Sequence, residues 1–386
     1  MTHEEEITVA KISEVFPDLE GKLGFGCMRL PQDGAAIDIP QTKRMVDALL
    51  DAGFNYFDTA HGYLSGKSES ALKEALTSRY ARDRYLIATK LTMNFFESEA
   101  DIRPTFESQL EALGVDYVDY YLLHALGAGN IDKFERCNAF DVVLALKDEG
   151  KIAHVGISFH DAADLLEEIL TNHPQVEFVQ LQLNYLDWDD AAVQARKCYE
   201  TCMRHGKPVI VMEPVKGGSL AQLPDEAAVP LDALGENVSY ASFAMRFAGS
   251  LPGVAVVLSG MSDIAQMEDN IKTMQNLTPL NEEENAAIKE AVRVLRSSNA
   301  IACTECRYCI GSCPMNIQIP DLFSVYNMKE LFHNWNADYY YNQVYTKRGG
   351  HASDCIACGS CERECPQHLP IPELMEKVAE VFEGSK

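Results

Sequence analysis

Eight of the chain's twelve cysteines fall into two runs of one spacing, Cys303-x2-Cys306-x2-Cys309-x3-Cys313-Pro314 and Cys355-x2-Cys358-x2-Cys361-x3-Cys365-Pro366. Three cysteines two residues apart let one loop wrap three irons of a [4Fe–4S] cube, and a fourth followed by proline points towards a second cube. Zinc is the competing use of paired CxxC units, but its tetrahedral sites usually take two such pairs each, and a triple run with Cys-Pro suits them poorly. Disulfides would need an oxidising compartment, and in a reducing one metal is the better reading. Cys27, Cys137, Cys198 and Cys202 stand outside the runs and read as buried, inert thiols.

The ligand loops need helices to hold them. The shift that carries Cys303 onto Cys355 also carries Ile319-Pro320-Asp321-Leu322 onto Ile371-Pro372-Glu373-Leu374, so the region reads as two equivalent halves. In each half proline ends the ligand loop, and the Ile-Pro-acid-Leu run opens a helix whose positive amino end receives the acidic side chain. Between the halves, Leu322 to Thr346 is rich in apolar and aromatic residues, among them Phe323, Tyr326, Leu331, Phe332, Trp335 and the Tyr339-Tyr340-Tyr341 run. Helical packing is expected there. From about Ala302 to Pro366 the pattern resembles bacterial two-cluster ferredoxins. The resemblance implies cross-ligation of two [4Fe–4S] clusters: Cys303, Cys306, Cys309 and Cys365 on one, Cys355, Cys358, Cys361 and Cys313 on the other.

Upstream, from Lys22 to about Met274, short apolar runs alternate with amphipathic stretches, the mark of βα units on a parallel sheet. The runs are Leu23 to Gly26, Phe54 to Phe57, Tyr85 to Ala88, Tyr117 to Leu123, Ile152 to Ile157, Phe178 to Leu183, Pro208 to Met212 and Val254 to Leu258, eight in all. Helix starts stand between them, such as Thr42 before Met45, Val46, Leu49 and Leu50, or Ser262-Asp263 before Ile264 and Met267. Eight such units close a (β/α)8 TIM barrel of about 250 residues. A further helix, Glu282 to Arg296, packs on the barrel and leads through Ser297-Ser298-Asn299 into the cysteine region. The expected class is α/β: residues 1–296 a TIM barrel with an extra carboxy-terminal helix, residues 297–386 a small, mainly helical ferredoxin-like iron–sulfur domain. In such barrels the residues just past the carboxyl ends of the strands build the site. Here they are Asp58, Lys90, His124, Ser158, Gln182 with Asn184, and Glu213, with Tyr63 in the loop beyond Asp58.

Asp58-Thr59-Ala60-His61-Gly62-Tyr63, Lys67-Ser68-Glu69, Ala88-Thr89-Lys90, Leu122-Leu123-His124, Gly156-Ile157-Ser158, Gln182 and the Gly260 to Asn270 segment together resemble aldo-keto reductases over nearly the whole barrel. The resemblance implies NADPH- or NADH-linked reduction of a carbonyl. Hydride addition leaves an alkoxide that must be protonated, and the phenol of Tyr63 is the candidate acid. Free tyrosine has a pKa of about 10, so Lys90 is expected to draw it down, with Asp58 fixing the lysine by an ion pair. His124 would donate a hydrogen bond to the substrate oxygen. Ser158 and Gln182 would hold the nicotinamide carboxamide, and Glu213, Lys216, Gly217, Gly260, Ser262, Gln266 and Asn270 complete the expected cofactor contacts. Lys216-Gly217-Gly218 and Gly260-Met261-Ser262 would offer backbone N–H groups and a charge to the pyrophosphate.

The family pattern is broken in three places. Met212-Glu213-Pro214-Val215 stands where a stacking aromatic is common, Gly260 and Gln266 replace basic residues that often grip the extra phosphate of NADPH, and Phe159, then His160, follow Ser158 in place of asparagine. Taken singly, each site residue has a plainer meaning: a satisfied core histidine, a surface Lys–Asp pair, a tyrosine at a rim. Four together on successive strand ends favour the catalytic one.

The formal net charge of −25 repels phosphate backbones and anionic lipid heads, so neither nucleic acid nor a membrane surface is an expected partner. The acidic start and the lack of a long apolar run point to a soluble, cytoplasmic protein. The expected partners are a small-molecule substrate and a redox protein. Nicotinamides move two electrons as hydride and each cluster moves one, so a flavin normally bridges them, and the sequence carries no flavin motif. Three roles therefore stand: an enzyme coupled to its clusters, an electron-transfer module whose barrel is a docking body, and a cluster-bearing redox sensor.

Overall fold

The computed structural model describes every residue except 1, 35, 191–192, 236–237, 298–299, 304–305, 333–335, 366 and 385–386. Trp335, Pro366, the Ser298-Asn299 link and the side chain of Phe332 lie outside the described residues. Eight parallel strands close a barrel: β1 (Leu23–Gly26), β2 (Tyr56–Asp58), β3 (Leu86–Leu91), β4 (Val118–Leu126), β5 (Ile152–Phe159), β6 (Phe178–Gln182), β7 (Val209–Met212) and β8 (Val254–Ser259). Each of the eight expected runs supplies one strand. Most strands reach further towards their carboxyl ends than the apolar runs suggest, because ladder pairing such as Asp58 with Ala88 and Lys90 with Leu122 continues through the polar site residues.

Two elements escape the apolar periodicity. A short hairpin, Gln32–Asp33 with Ala36–Ile37, follows β1. A helix, His3–Val15, precedes β1 and closes the amino-terminal end of the barrel. Phe16 at its end stacks on Tyr120 with centroids 4.9 Å apart and meets Phe178 edge-on at 5.5 Å. The Tyr120 hydroxyl donates to the Val15 carbonyl (3.2 Å). With that end plugged by aromatic rings, access is from the carboxyl ends of the strands.

Helix starts follow capping chemistry. Asp263 caps Ile264–Gln275, accepting from the Gln266 N–H at 2.8 Å. The helix expected to open at Thr42 instead runs Ile39–Asp51, since Asp38 accepts from the Gln41 N–H (2.9 Å) and Pro40 stands in the first turn. Its buried face is Met45, Val46, Leu49 and Leu50.

The helix Glu282–Ser297 lies on the barrel and is followed by the cysteine region. That region is mainly helical, with Ile319–Phe332 and Ile371–Glu383 opening at the two Ile-Pro-acid-Leu runs. The internal repeat extends to the backbone: Arg307 and Gly359, equivalent positions, are both left-handed (φ 63° and 67°), as are Asn316 and His368 (52° and 51°). The region is docked on the barrel mouth. Arg348 pairs with the buried carboxylate of Asp161, and Ser324 donates to Asp190 at 3.2 Å. At Gly129 a Cβ would come 2.7 Å from the Gln343 carbonyl, so the two parts touch backbone to backbone. Among the described residues no helix is long and apolar enough to cross a membrane.

Candidate active site

At the barrel mouth β2 and β3 bring Asp58 and Lys90 together. The Lys90 ammonium, fully buried, donates to Asp58 Oδ1 at 2.6 Å and to the Thr59 carbonyl at 2.7 Å. Tyr63 lies across it, with Nζ 4.9 Å from the ring centroid. The Tyr63 hydroxyl is 3.5 Å from His124 Nε2. A tight loop delivers Tyr63: Leu64, Ser65 and Gly66 are all left-handed, and the Ser68 N–H closes back on the Tyr63 carbonyl at 3.3 Å. Buried Glu69 braces both sides of this loop, taking bonds from Thr89 (2.7 Å) and Gln109 (3.0 Å) and contacting His61 Nδ1 at 2.7 Å.

Burial dominates the electrostatics. Desolvation works to lower the Lys90 pKa, but Asp58 and Tyr63 outweigh it and the net shift is upward. The Asp58 pKa is also raised, by burial first, against the pull of Lys90. The two short acceptor contacts on Nζ favour a charged ammonium. The Tyr63 pKa is raised, chiefly by burial, and Lys90 only partly offsets this. The sequence-based expectation of a depressed phenol pKa is thus reversed, because desolvation of the phenolate exceeds the attraction of an ammonium already shared with Asp58. Burial, then the Lys90 charge, holds His124 well below the usual histidine range. A phenol that must be protonated to act, with a raised pKa, stays competent below its ordinary value of about 10. The expected profile of kcat/KM for carbonyl reduction is therefore flat from about pH 6 to about pH 9. A decline centred below about pH 8 would contradict the raised phenol.

A cavity of ≈ 250 Å³ opens above these residues, lined also by Met28, Gln180, Met212 and Leu258. It meets a longer cleft of ≈ 760 Å³, sharing Arg29, Glu213, Leu258 and Gly260. Of the expected cofactor contacts, Glu213, Gly217, Gly260, Ser262, Gln266 and Asn270 line this cleft. Glu213 is paired with Arg29 at 3.0 Å, and the Gln266 carboxamide accepts from the Ser262 N–H at 2.8 Å.

Three expected contacts are placed otherwise. Lys216 is buried with Nζ 2.5 Å from Asp187, so its charge is spent inside the protein and does not face the cleft. Gln182 donates to Asp187 (2.9 Å) and accepts from Tyr340 (3.3 Å), while Gln180, two residues earlier on the same face of β6, lines the cavity with its carbonyl oxygen unpartnered. Ser158 accepts the Ala125 N–H at 2.7 Å, at the register break near the carboxyl end of β4, without reaching the cavity wall. The apolar alternation of β6 places both glutamines inward but cannot tell depth, and the partner of Lys216 is remote in sequence.

Four further residues, three lining the cavity and one behind His124, carry weaker sequence signals. Thr92 bonds His124 Nδ1 at 2.6 Å; when its hydroxyl donates, the neutral ring carries its proton on Nε2, facing Tyr63. His160 lines the cavity, its pKa lowered to about 4 by burial and then Lys90. Asn336 and Tyr339, from the cysteine region, line it as well. No local string announces that residues so far along the chain return to the barrel mouth.

The cysteines gather as two quartets. Cys303, Cys306, Cys309 and Cys365 line one small cavity, and Cys313, Cys355, Cys358 and Cys361 line a second, so the last cysteine of each run joins the other run's loop. Among the described residues, no three His, Cys, Asp or Glu side chains converge as ligands of a single ion would. Thiols standing around a cavity fit a cube better than one metal ion. Arg307, inside the first run, forks onto Asp321 at 3.0 and 2.9 Å and ties that loop to its helix. The four other cysteines are buried, with Cys198 pushed up to about 12 by desolvation and Cys27 and Cys202 also raised.

Comparison with known proteins agrees with this layout. Residues 22–293 match the model of the aldo/keto reductase family, and residues 302–369 match a 4Fe-4S dicluster domain. An uncharacterised oxidoreductase of Schizosaccharomyces pombe, C215.11c, is 29% identical over 65% of this chain and 80% of its own length. The Bacillus subtilis oxidoreductase YqkF is 26% identical over 69% of this chain and 91% of its own. The holo form of the Bacillus halodurans aldo-keto reductase AKR11C1 superposes with a TM-score of 0.58 at 29% identity, over 70% of this chain and 92% of that one. With the barrel matched by the family model and the cysteine region docked on its mouth, the chain belongs to the aldo/keto reductase family and carries a 4Fe-4S dicluster domain after its barrel.

Proposed function

We propose that the barrel reduces a carbonyl compound with a nicotinamide nucleotide, and that the two quartets hold two [4Fe–4S] clusters that exchange single electrons with a partner protein. The observation that carries this reading is the Tyr63–Lys90–Asp58–His124 constellation at the floor of a cavity continuous with a long cleft. A bound nicotinamide would supply hydride to the carbonyl carbon. Tyr63 then delivers the proton to the oxygen, Lys90 steadies the phenol's charge as the proton leaves, and a neutral His124 donates to the same oxygen. Gln180 and His160, at the cavity wall, suit the carboxamide better than Gln182 and Ser158 do. Arg29, Glu213 and Asp269 are the charged lining of the cleft. A flavin in the same cleft is the alternative link between hydride and single electrons.

Contact of the cysteine region with the barrel mouth favours coupling or regulation over a barrel that serves only as a docking body. Anaerobic isolation is expected to yield about eight iron and eight sulfide per chain. The same sample should oxidise NADH or NADPH when an aldehyde is added. Zinc without sulfide would refute the cluster reading, and absence of nucleotide oxidation with any carbonyl would refute the reductase reading.

A further inference from the structure

We infer that Tyr339, a residue of the iron–sulfur domain, is the specificity-determining wall of the barrel cavity and restricts it to small carbonyl compounds. The inference rests on the reductase reading for the identity of the substrate, but the shape of the cavity does not. Tyr63 and His124 line the space from the barrel, and Tyr339 and Asn336 line it from the cysteine region. At ≈ 250 Å³ the space is below the roughly 300–1,000 Å³ of sites that take drug-sized ligands.

Tyr339 is held as a fixed wall. Its hydroxyl donates to the Ala125 carbonyl at 3.1 Å, and its ring meets His160 edge-on at 5.3 Å and Tyr340 at 6.1 Å. Ala125 is itself a left-handed non-glycine residue (φ 55°) directly after His124, and its carbonyl also accepts from Asn130 at 2.8 Å. Ser324 donates to Asp190 before it, and after it the Tyr340 hydroxyl donates to Gln182 and Arg348 pairs with Asp161, so the stretch carrying Tyr339 is pinned to the barrel on both sides. A ring fixed at three points cannot swing aside for a bulky substrate at small cost, since packed side chains leave their wells only with rearrangement of their neighbours.

Carboxylates offer oxygens to Tyr63 and His124 without reacting, so they read the size of the space independently of turnover. Acetate and 4-phenylbenzoate are titrated calorimetrically into the full-length, cluster-loaded protein with oxidised nicotinamide nucleotide present. The wild type should bind 4-phenylbenzoate at least about tenfold more weakly than acetate, a difference of about 1.4 kcal/mol. Tyr339→Ala should bring the two within about twofold, Tyr339→Leu should fall between, and Tyr339→Phe, which keeps the ring, should retain the wild-type order. Equal binding in the wild type, or an unchanged ratio in Tyr339→Ala and Tyr339→Leu, overturns the proposal. Turnover of acetaldehyde and 4-phenylbenzaldehyde, followed in parallel, tests the reductase reading separately: its failure would leave the binding ratio intact.

Discussion

Tyr63→Phe is expected to lower kcat for carbonyl reduction by about 10²–10⁴-fold while nucleotide affinity stays within about twofold of the wild type. The substitution removes one oxygen. That oxygen is the group facing His124, and the ring that packs over Lys90 is retained, so the geometry of the floor survives. The effect is large because the raised pKa keeps the phenol a proton donor at neutral pH, and no other neutral O–H group stands at the His124 side of the cavity among its described lining residues except Tyr339, which donates to Ala125. Steady-state rates with a saturating aldehyde and equilibrium nucleotide titration together check it. Loss of nucleotide binding to the same extent as kcat would show a structural role instead.

Lys90→Met should cost about 3–5 kcal/mol of stability and abolish turnover, because it strands a carboxylate in a fully buried site. Asp58 Oδ2 already lacks a hydrogen-bond partner, so Oδ1 would lose its only charged one. Adding Asp58→Asn removes the stranded charge and should recover most of the stability but none of the activity. Chemical denaturation of the three proteins, read beside their turnover, separates the structural contribution of the pair from its chemical one. A single Lys90→Met variant as stable as the wild type would mean that the pair is neutral in the folded protein.

What was legible in the sequence was what is written locally. The cysteine runs, the Ile-Pro-acid-Leu repeat and the four strand-end residues each sit in a short string whose residue types already restrict the chemistry, and the eight apolar runs report burial on both faces of a parallel strand. What was not legible depends on distance through the fold. Asp187 meets Lys216, and Tyr339 meets Ala125, only after the chain has closed. Gln180 and Gln182 share a face, so periodicity alone cannot rank their depth. The Tyr63 pKa follows from burial that no neighbour in sequence announces. The plug formed by His3–Val15 and Phe16 was hidden because that helix shows little amphipathic pattern and draws its partners from inside the barrel.

The most direct measurement uses NADH or NADPH carrying deuterium at the transferred position of C4, with an aldehyde turned over anaerobically in ordinary water. Direct hydride transfer in the cavity predicts deuterium on the carbinol carbon of the product alcohol and an undeuterated hydroxyl supplied through Tyr63. Product alcohol without carbon-bound deuterium, with the label lost to water, would contradict direct transfer and place a flavin or the clusters in the path of the electrons.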